Sequence, residues 1–118
     1  MSSRIKKIFE DNSKKLVTFV TGGDPDYKTS KQILDKIIEK GANVIEIGMP
    51  FSDPMADGPI IQESSLRSFV IGTKINVIFE IVKEVSKLNN EIPIILMGYF
   101  NMILQYGENK FLIFYYSA

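Results

Sequence analysis

The sequence predicts an α/β protein built on a parallel sheet. Three runs, Leu16–Thr21, Asn43–Gly48 and Ile92–Tyr99, are rich in Val, Ile and Leu, lack a polar alternation and are bounded by Gly and Pro. Strands buried on both faces read this way. The segments between them repeat their apolar residues at helical spacing. Strands alternating with helices imply parallel pairing through right-handed crossovers.

Each element has a local reason. Ile5, Ile8 and Phe9 fall at i, i+3 and i+4 behind Ser2 and Ser3, which suits a short capped helix with one apolar face. Leu16-Val17-Thr18-Phe19-Val20-Thr21 is β-branched and aromatic, and Gly22-Gly23-Asp24-Pro25 ends it. From about Asp26 to Lys40, Ile33, Leu34, Ile37 and Ile38 share a helical face, with Gly41 where a left-handed residue closes the helix. After the second strand, residues 49–91 leave room for a loop and two helices. Pro59 suits the first turn of the nearer one, Gly72 closes it, and Thr73 is placed to cap the next, whose Ile75, Ile78, Phe79, Val82 and Val85 keep helical spacing. Ile92-Pro93-Ile94-Ile95-Leu96-Met97-Gly98-Tyr99 is the third strand, its Pro near the start where a missing N–H is tolerated.

Gly107-Glu108-Asn109-Lys110 starts another helix, yet Phe111-Leu112-Ile113-Phe114-Tyr115-Tyr116 has no polar face. It reads as a helix buried all round, or equally as an atypical tail over about 111–118 produced by truncation or a frameshift.

Composition narrows the chemistry. The 118 residues carry 14 basic and 14 acidic side chains, a pI near 6.3, and neither Cys nor His. Disulfides, a thiol nucleophile, zinc-finger ligation and a Ser-His-Asp triad are thereby excluded for these residues. Balanced charge argues against nucleic acid and anionic membranes as partners. No apolar stretch reaches the roughly 18 residues of a membrane span, and a cytoplasmic location is expected.

What remains is carboxylate chemistry. Glu46 interrupts the apolar run Val44-Ile45-Glu46-Ile47 and shares a strand face with Val44 and Gly48. An ionised group there costs several kcal/mol unless paired, so it is either an acid/base group or one half of an ion pair with a neighbouring Lys or Arg. Asp53 and Asp57 follow in the Pro-bounded loop beyond the strand's carboxyl end, where α/β proteins place ligand sites. Turn chemistry accounts for Asp53 before Pro54, and helix capping for Asp57 before Gly58-Pro59. A metal held by Glu46, Asp53 and Asp57 would have to be a hard, oxygen-bound ion, and no tighter ligand spacing supports one. Thr21-Gly22-Gly23-Asp24-Pro25 lacks a phosphate-loop pattern and reads as a strand-to-helix turn. Phe19 and Tyr99, near strand ends, are core residues or pocket walls.

Taken together, Phe19-Val20-Thr21-Gly22-Gly23-Asp24-Pro25, the run from Gly41 through Glu46-Ile47-Gly48-Met49-Pro50-Phe51-Ser52-Asp53-Pro54-Met55-Ala56-Asp57-Gly58-Pro59 to Gln62, Leu66-Arg67, Pro93–Tyr99 and Asn101 closely resemble the tryptophan synthase alpha chain family. The resemblance implies a single incomplete domain over 1–118, the N-terminal portion, about three strands, of a (β/α)8 barrel that needs about 250 residues. It implies a lyase of tryptophan biosynthesis that cleaves indole-3-glycerol phosphate to indole and glyceraldehyde 3-phosphate by a reversed aldol reaction, with no cofactor in the alpha chain. Glu46 matches the family's general acid/base and Asp57 the carboxylate that holds the indole N–H. Phe19 and Tyr99 match walls of the indole pocket. The loop with Asp53 and Pro54 matches the segment facing the beta chain, a pyridoxal phosphate enzyme and the implied partner in an α2β2 heterotetramer. Two further readings differ in class: a non-catalytic piece that contacts the beta chain, and a small doubly wound binding domain, which lacks its Gly-rich fingerprint.

Overall fold

The computed structural model describes residues 2–117, with the side chains of Ser2 and Ser3 outside the description. Among the described residues nine elements follow one another: α1 (Ser2–Ile8), β1 (Val17–Thr21), α2 (Tyr27–Glu39), β2 (Val44–Gly48), α3 (Pro59–Val70), α4 (Ile75–Leu88), β3 (Ile94–Met97), α5 (Phe100–Tyr106) and α6 (Glu108–Ser117). The strands form one parallel sheet in the order β1-β2-β3. Phe19 sits beside Glu46 and Glu46 beside Ile95; Thr21 sits beside Gly48 and Gly48 beside Met97. Residues two apart share a face, so Phe19, Thr21, Glu46, Gly48 and Met97 line one side of the sheet.

The opposite side is the core. Ile45 and Ile47 are fully buried against Leu34 of α2 and Ile78, Ile81 and Val85 of α4. Fully burying each such side chain is worth about 1.5–3 kcal/mol, an upper bound because the unfolded chain already hides some of that area. Helix α2 starts where Asp26 accepts the Thr29 amide at 2.8 Å and ends before Gly41, whose φ of +94° only glycine adopts freely.

Of the strands expected to be buried on both faces only β2 is, Val17 of β1 and Met97 of β3 being exposed, and further expectations need correction. Thr73 does not cap α4: Lys74 occupies that position without a side-chain bond, while Thr73 is buried and its amide donates to the Ser68 carbonyl at 3.1 Å. Phe9 lies past the end of α1 and is exposed, and the capping expected of Ser2 and Ser3 rests on side chains outside the described residues. The third strand is shorter than its apolar run, and α5 follows it at once. In α5, seven residues long, Met102, Ile103 and Tyr106 are only half-buried against the core and apolar Phe100 and Leu104 are exposed, which blurs the period.

The aromatic run near the end is helical. Phe111 is buried, and Phe114 stacks on Phe79 of α4 with centroids 3.7 Å apart, while Tyr106 meets the same ring edge-on at 5.3 Å. The helix is not buried all round. Leu112, Ile113 and Tyr116 face solvent.

Candidate functional site

At the carboxyl end of the sheet, a cavity of about 450 Å³ opens over the Glu46 face. The sheet supplies its floor through Phe19, Thr21, Glu46, Gly48 and Met97. The loop after β2 and the first turns of α3 supply Asp57, Ile61 and Ser65, and the turn after β3 supplies Tyr99. Glycine at position 48 leaves room for the Phe19 ring on this floor: a Cβ there would stand 2.7 Å from Cζ of Phe19.

Glu46 is half-buried, and among the described residues no side-chain hydrogen bond or salt bridge engages it. The ion pair that would explain a carboxylate in this strand is therefore not formed. Its neighbours across the floor are apolar except Thr21, whose hydroxyl is 2.7 Å from that of Ser64. The group is thus presented to the cavity with its lone pairs uncommitted by any described side chain.

Asp57 does not cap α3. Gly58 holds the cap position with no side-chain bond, and Pro59 opens the helix. Instead the Asp57 carboxylate accepts the Tyr99 hydroxyl at 3.3 Å, and its carbonyl accepts Nε2 of Gln62 at 2.7 Å. The same Tyr99 oxygen accepts the Ala56 amide at 2.8 Å, and the Tyr99 ring stacks on Phe51 at 5.3 Å between centroids. Tyr99 therefore fastens the loop after β2 to the turn after β3.

The four residues singled out by sequence as catalytic or pocket-forming, Glu46, Asp57, Phe19 and Tyr99, all line this cavity. Asp53 and Pro54 do not; Asp53 is exposed on the outer part of the loop. Thr21, Met49, Ala56, Ile61, Ser65, Met97 and Gly98 also line it and were not singled out. For Thr21 and Met97 a signal existed: each shares the strand parity of Glu46 once register is known. Among the described residues no three carboxylates gather closely enough to hold a metal ion, and no helix is long and apolar enough to cross a membrane.

Parallel strands joined through helices, with a cavity at their carboxyl ends and an inward-facing carboxylate on the second, define part of a (β/α)8 barrel. The comparisons make this specific. The family model described as tryptophan synthase alpha chain matches residues 5–116, and the chain belongs to that family. A tryptophan synthase alpha chain of Citrifermentans bemidjiense is 47% identical over 111 residues, covering 94% of this chain and 41% of that protein. The crystal structure of tryptophan synthase subunit alpha from Legionella pneumophila superposes with a TM-score of 0.83 at 36% identity, over 90% of this chain and 40% of that one. A chain of the tryptophan synthase complex from Pyrococcus furiosus gives 0.81 at 40% identity, over 87% and 42%. This chain thus spans about two fifths of the length of the relatives it matches.

Proposed function

We propose that this chain carries part of the active site of a lyase of tryptophan biosynthesis, which splits indole-3-glycerol phosphate into indole and glyceraldehyde 3-phosphate. The observation that supports it best is the unpaired carboxylate of Glu46 on the floor of an apolar cavity, with Asp57 and Tyr99 on its wall.

The reaction breaks the bond between indole C3 and the adjacent glycerol carbon. C3 must gain a proton, the hydroxyl next to the breaking bond must lose one, and charge developing at the ring nitrogen must be stabilised. Glu46 serves both proton transfers, because one carboxyl group can give a proton to C3 and take one from the hydroxyl. Asp57 accepts the ring N–H and gains strength as that nitrogen becomes positive, which favours the transition state over the ground state. Phe19 and Tyr99 enclose the indole faces. No cofactor enters these steps.

In this reading residues 1–118 form one incomplete barrel domain, 111–118 being its least typical stretch, and the protein works in the cytoplasm. The loop tip at exposed Asp53 and half-buried Pro54 contacts a beta chain that uses pyridoxal phosphate, in an α2β2 assembly. A contact piece without chemistry is the second reading, supported by the exposed position of Asp53 on the outer part of the loop. Joining residues 1–110 to the remaining strands of a family relative, then assaying indole release and beta-chain capture, separates the two. Indole release that disappears in Glu46→Gln supports the lyase; capture without release in the parent chimera supports the contact piece.

A further inference from the structure

Helix α3 is seated in an unusual way. The residues it buries are Ser64, Ser65 and Ser68, not an apolar stripe. Ser68, fully buried, donates to the Gly22 carbonyl at 2.6 Å. Ser64 pairs with Thr21, and Ser65 accepts the Phe51 amide at 3.4 Å. One residue before Ser68, Arg67 grips the Asp24 carboxylate at two points, Nε to Oδ1 at 2.8 Å and Nη2 to Oδ2 at 2.9 Å. Apolar contacts are non-directional, whereas hydrogen bonds weaken steeply as their angle closes and fork-to-fork pairs also fix direction. This seat therefore sets the position of the helix along and around its axis.

Asp57 is tied to that helix. Gln62 bonds the Asp57 carbonyl through its side chain and the Gly58 carbonyl through its amide. We propose that Arg67 and Ser68 are positioning residues for Asp57: by bonding the end of α3 to the turn after β1, they fix where the helix begins and so hold the 51–57 loop over the Glu46 face. Its catalytic weight rests on the reading of Asp57 above, but the mechanical claim does not.

Hydrogen–deuterium exchange of the 118-residue chain, followed by mass spectrometry without substrate, tests it. Local opening of the loop exposes the amides of Phe51, Ala56 and Asp57, all bonded in the closed state. Ser68→Ala and Arg67→Lys, the latter keeping charge but losing the fork, should each speed exchange over 51–57 by about fivefold and leave 44–48 within about twofold. Unchanged exchange over 51–57 overturns the proposal. Parallel acceleration of both segments also overturns it, since that is general loosening. Should Ser68→Ala fail to fold, Arg67→Lys on the helix surface decides alone. Because no turnover is read, failure here is distinct from failure of the lyase reading.

Discussion

The Tyr99 hydroxyl lies 3.3 Å from the Asp57 carboxylate while accepting the Ala56 amide at 2.8 Å. A phenol, not a helix start, holds the second carboxylate of the site. Removing Asp57 should therefore cost little stability, although a side-chain cap at that point would contribute about 0.5–2 kcal/mol. Asp57→Ala should shift the melting temperature by less than about 2 °C, whereas Asp26→Ala, which removes a formed cap on α2, should lower it more. Circular dichroism melts of both variants check the difference. Equal losses would return Asp57 to the role of a cap.

Glu46→Gln keeps the shape of the cavity floor and removes the titrating group. In a family-length barrel carrying this segment, turnover should fall by about 10² to 10⁴ with KM nearly unchanged, the signature of a group acting in the transition state. Steady-state indole release measures both constants. Near-normal turnover sinks the assignment.

How far the sequence led depended on whether a residue's role was local. The strand carrying Glu46 and the helix faces of Leu34 and Ile78 were legible because burial imposes a period that survives in one dimension. The cap on α4 was misplaced because Thr73 has the right chemistry for a cap, yet its place under the turn after β1, with its Cγ2 2.7 Å from where a Gly23 Cβ would lie, claims it for packing. Helix α5 was missed because it is only seven residues long and its core-facing Met102, Ile103 and Tyr106 are interleaved with exposed Phe100 and Leu104, so the apolar period is blurred. In the site, Glu46 announced itself as a carboxylate among isoleucines. The Asp57–Tyr99 contact did not, since it joins residues 42 apart in sequence through two loops.

Gly48→Ala places a methyl group against the Phe19 ring, which is rigid but 36% exposed and free to swing over the cavity. The expected cost is about 1 kcal/mol, at the low end for overpacking because one neighbour can yield. Combining it with Phe19→Leu should recover much of that loss, giving a coupling that simple addition does not predict. Urea unfolding of the two single variants and the pair reads this out. Strict additivity would mean that the ring and the glycine do not share space.

Asp26 titrates below the usual carboxylate range because the Thr29 amide and hydroxyl bond its charged form. A depressed value in the folded state means that the cap's contribution is complete above the unfolded value of about 3.9 and fades as pH falls through the folded one. Native stability should therefore decline on acidification below about pH 4, and Asp26→Asn should flatten that part of the profile. Urea midpoints between neutral and acid pH give the comparison. An unaltered acid slope in Asp26→Asn would assign it to other carboxylates.

The 118-residue chain assayed alone should release no indole from indole-3-glycerol phosphate, although it carries both Glu46 and Asp57. Among the described residues β1 and β3 each pair on one side only, so the cavity has its floor from three strands. Barrels of this class hold substrate phosphate with backbone amides and a helix N-terminus near strands seven and eight, and the chain spans 41% of a relative's length. In the proposed reading the indole would then not be oriented against Glu46, and orientation can supply about 7–11 kcal/mol of barrier lowering, enough to take the rate below detection. Adding the remaining strands as one continuous chain should restore both binding and turnover. Indole release by the monodisperse 118-residue chain would show that these three strands already contain the whole substrate site.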